Sequence, residues 1–129
     1  MKREEISTDQ APAAIGPYSL AVSTEGMVYT SGQIPLVPDT GELVTGGIEA
    51  QASQVLSNLK AVLESSGADF STVVKTTVFL TDLGNFATVN ALYAAAFGET
   101  KPARSTIEVS ALPKGALVEI EAVALVKEA

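Results

Sequence analysis

Arg104 is the residue of this chain best suited to holding an anion. It stands in Lys101-Pro102-Ala103-Arg104-Ser105-Thr106-Ile107-Glu108-Val109, where Pro102 biases the backbone towards an extended path. A guanidinium presents a rigid fork of donors that meets two oxygens of a carboxylate or phosphate at once. An ion pair with Glu108, Glu119 or Glu121 across a sheet would account for an arginine here equally well. Glu119 lies in Leu117-Val118-Glu119-Ile120-Glu121-Ala122. In a strand, Glu119 and Glu121 share a face. Two like charges that close disfavour joint ionisation, which is one way to make a carboxyl group into a proton carrier. The plain alternative, two solvent-facing strand residues, is the preferred reading for Glu121.

Three further positions have a chemical reading beside a bland one. Tyr18 follows the turn Ile15-Gly16-Pro17, and its hydroxyl is a candidate ligand contact, although packing explains an amphipathic ring as well. Ser31-Gly32 interrupts a strand, as glycine does at a bulge or where a ligand approaches the backbone. Asn90 lies on the apolar stripe of a helix, where a buried amide must be hydrogen-bonded; tying down a loop is the expected role.

The absences narrow the chemistry. The 129 residues contain no cysteine and no histidine, which removes disulfides, thiol nucleophiles, Ser-His-Asp triads and zinc sites built on those ligands. No Asp-rich loop has EF-hand spacing and no glycine-rich phosphate loop is present, so no metal is expected. A net charge of −7, with scattered basic residues, argues against nucleic acid as a partner. No apolar run is long enough to span a bilayer, and Met1-Lys2-Arg3-Glu4-Glu5 lacks a secretory apolar core. A single domain over residues 1–129, in the cytoplasm, is the expectation.

These residues need a frame. Ser19 to Ser23 and Met27 to Gln33 read as a hairpin turning at Thr24-Glu25-Gly26. Ile48, Ala52, Val55, Leu56, Leu59, Val62 and Leu63 fall on one helical stripe, with Gly67 as the stop. Val73 to Leu80 is a β-branched strand. A second helix follows, capped by Asp82 or Asn85, burying Phe86, Val89, Tyr93, Ala96 and Phe97, and ending at Gly98. Arg104 to Val109 and Leu117 to Val126 are the last strands. The order β-β-α-β-α-β-β indicates an α+β fold with two helices on one face of a mixed sheet.

Alternation assigns Val118, Ile120, Ala122, Ala124 and Val126 to the helix side, together with Ser105, Ile107 and Val109. Arg104, Thr106, Glu108, Glu119 and Glu121 would then share the other face with Lys75, Thr77, Phe79, Val123 and Leu125. That face is too apolar to be simply wet and too polar for a dry core. A subunit interface with polar pockets is the favoured reading.

Taken together, Ile15-Gly16-Pro17-Tyr18-Ser19, Thr30-Ser31-Gly32-Gln33-Ile34-Pro35, Val74-Lys75-Thr76-Thr77-Val78-Phe79, Phe86-Ala87-Thr88-Val89-Asn90, Pro102-Ala103-Arg104-Ser105, Leu112-Pro113-Lys114 and Glu119-Ile120-Glu121-Ala122 resemble the RidA (YjgF) family of reactive-intermediate deaminases. The resemblance runs from about Ile6 to Val126. It implies a chorismate-mutase-like homotrimer with ligand pockets between subunits. It also implies cofactor-independent hydrolysis of 2-aminoacrylate and 2-aminocrotonate, or their 2-imino tautomers, to 2-oxo acids and ammonia. In that scheme Arg104 grips the substrate carboxylate, assisted by the Thr106 amide. Glu119 handles the proton of the attacking water or the departing amine, and Tyr18, Ser31 and Gly32 line the pocket. Two positions depart from many relatives: Thr106 replaces a cysteine and Leu20 a glutamine. The contrasting expectation is a non-catalytic member that binds 2-oxo acids or acts in a chaperone-like way.

Overall fold

A computed structural model describes residues 2–128. Its frame is one six-stranded sheet formed by β1 (Arg3–Ile6), β2 (Ala21–Thr24), β3 (Met27–Thr30), β4 (Val73–Leu80), β5 (Ala103–Glu108) and β6 (Val118–Leu125), in the spatial order β1-β2-β3-β6-β4-β5. The β4–β5 pair is parallel, joined through helix α2 (Phe86–Phe97), and the other neighbours run antiparallel. Helix α1 (Ile48–Ser65) connects β3 to β4. The mixed α+β architecture therefore agrees with the periodicities in the chain. One strand lay outside that reading: β1 pairs with β2 through Arg3↔Thr24 to Ile6↔Ala21. Its Arg-Glu-Glu-Ile sequence has three exposed charged residues at a sheet edge, so no apolar alternation marks it.

The β2–β3 hairpin turns at Glu25 (φ 52°) and Gly26 (φ 79°), with Thr24 paired to Met27. Positive φ at both central residues gives the twist that two-residue hairpins favour. Regular pairing in β3 stops at Thr30, and Gln33 resumes it as a single bridge to Ile120. The intervening Ser31-Gly32 is the irregularity that the glycine signalled. Asp82 caps the short 3-10 turn Leu83–Asn85 by accepting from the Gly84 N–H, and Asn85 stands at the start of α2 without a side-chain cap bond.

Both helices cover the same face. Ala52, Val55, Leu56, Leu59, Val62 and Leu63 of α1 meet Val118, Ile120, Ala122 and Ala124 of β6, with Val78 and Leu80 of β4 and Val89, Tyr93 and Phe97 of α2 in the same buried cluster. Two amides belong to this layer for backbone reasons. Asn58 Nδ2 donates to the carbonyls of Ile34 (3.1 Å) and Leu36 (2.9 Å), and Gln51 Oε1 accepts from the Leu117 N–H (2.8 Å). They hold down the loops on either side of the β3–β6 end.

Among the described residues, no layer covers the opposite face. Register places Tyr29, Val123, Leu125, Lys75, Thr77, Phe79, Glu119 and Glu121 there. Tyr29 (47%) and Leu125 (47%) are substantially exposed, as is Ile107 (43%) on the edge strand.

Candidate active site

Strand register assigns Arg104 to a face different from the one expected. Arg104 pairs with Thr76, Thr106 with Val78 and Glu108 with Leu80, and those three β4 residues are buried on the helix side. Ser105 and Ile107 therefore take the open face, and the Ser105 hydroxyl accepts from Lys75 Nζ at 3.0 Å. The phase of β5 in the sequence reading is thus reversed. Apolar Ile107 and Val109 suggested the core side, but β5 is the edge strand and neither of its faces is fully covered. The decisive packing is that of Arg104 against the aromatic side chains of α2.

The Arg104 guanidinium carbon lies 4.8 Å from the centroid of the Tyr93 ring and 5.4 Å from that of Phe86. Cation–π attraction at such distances contributes on the order of 0.5–2 kcal/mol. Nη1 donates to Asn90 Oδ1 at 2.8 Å. The Tyr93 hydroxyl is in turn 2.7 Å from the hydroxyl of fully buried Thr76, and burial pushes the Tyr93 pKa up. Phe86, Asn90 and Tyr93 are separated by four and three residues, so they share one face of α2. Among the described residues, Arg104 makes no salt bridge with a carboxylate. The ion pair with Glu108, Glu119 or Glu121 is therefore not formed within the chain. Glu108 instead accepts from the Leu83 N–H at 2.9 Å. Asn90 does not tie down a loop; it holds the arginine, and Asn58 does the loop-tying.

Beside Arg104 a cleft of about 350 Å³ is lined by Asn90, Tyr93, Phe97, Thr100 and Lys101. The Thr106 side chain is on the same side of the strand. Because the Val109 N–H donates to the Leu80 carbonyl, alternation along β5 directs the Thr106 N–H to the free edge.

Glu119 belongs to a second cluster. It pairs with Phe79 on the open face, and its carboxylate packs directly on Gly32. A Cβ at Gly32 would collide with Oε2 and lie 2.7 Å from Cδ, so any other residue there would require the carboxylate to move. Burial, and after it the charge of Glu121, raises the Glu119 pKa above the ordinary carboxylate value. Ser31 Oγ donates to the Ser19 carbonyl at 2.6 Å and its N–H to the Leu20 carbonyl at 2.9 Å, fixing the segment that carries Tyr18. Tyr18 is 51% exposed, its ring 3.7 Å from where a Gly16 Cβ would lie. Tyr18, Gly32, Ile15, buried Leu20 and Lys114 line a cleft of about 310 Å³. Lys114 is held at φ 59°, a conformation that side chains other than glycine rarely adopt. The sequence reading gave it no role; nothing in composition signals a positive φ at a lysine.

The two clusters do not meet in one chain. Glu119 is on β6, two strands from β5, and its register row reaches Ile107 through Phe79, three residues from Arg104. That is roughly 10 Å across and 10 Å along the sheet, through opposite faces. No group of three or more acidic residues among the described residues is arranged to hold a metal ion.

These features define a small α+β protein with an arginine oriented by an amide and two aromatic rings at a sheet edge, and a carboxyl group of raised pKa on the sheet face opposite the helices. The family model described as Endoribonuclease L-PSP, that of the YjgF/RidA proteins, matches residues 8–126, and the chain belongs to that family. It is 57% identical over 127 residues to protein DfrA of Myxococcus xanthus, covering 97% of both chains. It is 51% identical over 123 residues to the mouse protein named 2-iminobutanoate/2-iminopropanoate deaminase, covering 95% of this chain and 91% of that one. Among solved structures, E. coli TdcF with bound serine superposes with a TM-score of 0.90 at 44% identity, covering 95% of this chain and 98% of that one.

Proposed function

We propose that the protein is a cofactor-independent deaminase that hydrolyses 2-imino acids, the tautomers of 2-aminoacrylate and 2-aminocrotonate, to 2-oxo acids and ammonia, and that it does so in the cytoplasm. The observation that carries this reading is Arg104, an arginine oriented by Asn90 and two aromatic rings yet unpaired with any carboxylate of its own chain among the described residues. The names of the mouse and other deaminase relatives, at about half identity over nearly the whole chain, support it.

The active unit is a homotrimer, the assembly implied by the family, with each site made between subunits. Two observations support association. The open face carries exposed Tyr29, Leu125 and Ile107, and a second copy is needed to bring one chain's Arg104 to another's Glu119. A monomeric mass in light scattering at micromolar concentration would overturn this.

In such a site Arg104 takes the substrate carboxylate, with the Thr106 N–H beside it. Tyr18, Ser31 and Gly32 form the wall next to Glu119. The imine carbon is already electrophilic, so holding it against a water supplies much of the acceleration. Glu119 accepts a proton from that water as its oxygen bonds to the imine carbon. The C=N π pair moves to nitrogen, which takes that proton back from Glu119 to give the carbinolamine. Glu119 then takes the hydroxyl proton of the carbinolamine and passes it to the same nitrogen, so the C–N bond breaks with its electron pair leaving on ammonia as the oxygen becomes the carbonyl. No metal or redox group enters this balance.

The test is a coupled assay. A dehydratase generates the unstable enamine in amine-free buffer, and 2-oxo acid release is timed with and without this protein. Acceleration by the wild type that disappears in Arg104→Ala is the expected result. Release at an unchanged rate with the wild type would overturn the deaminase reading and leave the 2-oxo-acid-binding one.

A further inference from the structure

Arg104 is an exposed side chain on an edge strand, a setting in which a long cation ordinarily samples many rotamers. Here it is restrained by three residues of one helix, and only one of them bonds it directly. Asn90 offers Oδ1 to Nη1, while Nε and Nη2 make no hydrogen bond within the chain among the described residues. Those two nitrogens share one edge of the guanidinium, the edge that suits a bidentate carboxylate. A guanidinium has no acceptor, so its partner must present an oxygen. An aspartate would do so with a negative charge and neutralise the cation; an amide oxygen fixes the direction and leaves the charge available.

Resting on the deaminase reading above, we propose that Asn90 is a positioning residue. Its neutral amide, braced on α2 next to Tyr93, turns the Nε–Nη2 edge of Arg104 outward to receive the substrate carboxylate without quenching its charge. Thr76 is part of the same device, because its hydroxyl meets that of Tyr93, the ring on which the guanidinium rests.

The chain contains only two arginines, Arg3 and Arg104, which permits a direct readout. Arginine side-chain ¹⁵N–¹H spectra of the wild-type protein should show one solvent-like group, Arg3, and one shifted by the rings of Phe86 and Tyr93. Arg104→Lys, which removes one set, makes the assignment. Asn90→Leu keeps the side-chain bulk and removes the acceptor. It should move the Arg104 signals towards those of Arg3 and raise KM roughly 10- to 100-fold with kcat little changed. Asn90→Asp should leave the Arg104 signals ordered yet raise KM at least as much, because the new carboxylate competes with the substrate. A purely structural asparagine would lower thermal stability in both variants without separating KM from kcat.

Unchanged Arg104 signals in Asn90→Leu would overturn the proposal, as would a wild-type KM in Asn90→Asp. The spectra decide the positioning role even if the wild type shows no deaminase activity, an outcome that would sink the function and not the geometry.

Discussion

Arg104 and Glu119 are kept in place by opposite means. Arg104 projects from an exposed edge strand and is directed by side chains: two rings, one amide, and a threonine behind one of the rings. Glu119 lies half-buried on a central strand and is confined by a missing side chain, since its carboxylate fills the space over Gly32. Nothing donates a hydrogen bond to that carboxylate within the chain among the described residues, and burial raises its pKa. The cation is thus tuned for direction and the acid for protonation state. Substitutions should separate the two, with binding failing at one end and proton transfer at the other.

The largest effect belongs to Arg104→Ala. It removes both the charge and the orienting contacts, so kcat/KM in the coupled assay should fall roughly 10³-fold or more. Arg104→Lys should recover little, because an ammonium cannot bond two oxygens in a plane. Activity within tenfold of the wild type would end the claim that direction matters at this end. Glu119→Gln should follow, with kcat reduced on the order of 10²-fold and KM nearly unchanged, since the amide keeps the shape and loses the base. A dominant KM effect would instead make Glu119 a binding residue. Gly32→Ala comes third. The added Cβ must displace the Glu119 carboxylate, and a fall in kcat of about tenfold is expected from misplacement of order 1 Å. Binding of a 2-oxo acid, followed by calorimetry, should weaken by less than kcat falls in the same variant, because the carboxylate is held at the Arg104 end.

How far the sequence revealed these two ends follows from the same difference. The face of Glu119 was legible, because β6 is central and its buried Val118, Ile120, Ala122 and Ala124 alternate with less buried neighbours, of which Glu119 and Glu121 are charged. One buried face sets the phase of such a strand. Gly32 was legible as an interruption, though not as the floor under Glu119, since that contact spans 87 positions and no local pattern encodes it. Arg104 was legible by residue type and not by direction. The alternation of an edge strand with two half-bare faces carries no phase, and Ile107 pointed the wrong way. Asn90 was seen as a buried polar group, and only packing of α2 on β5 shows what its oxygen meets. β1 was hidden for the edge-strand reason too, with exposed charges where a pattern should be.

The smallest effect sharpens the acid end and turns on sign. Glu119 is raised above its ordinary value of 4.5 first by burial and then by the like charge of Glu121. A carboxyl group that binds its proton more tightly folded than unfolded costs no stability below the unfolded value, where it is protonated in both states. The cost of ionising it develops as pH rises through the raised folded value. Glu119→Gln should therefore melt no lower than the wild type at neutral pH, and the difference between the two should vanish at acid pH. In the proposed reaction the ionised form is the base, so the acid limb of the kcat profile should lie above the ordinary carboxylate range. Glu121→Gln removes the second cause and leaves the first. The limb should move to lower pH with the plateau preserved, by less than the whole displacement, because burial remains. A limb unmoved by Glu121→Gln would assign the displacement to burial alone.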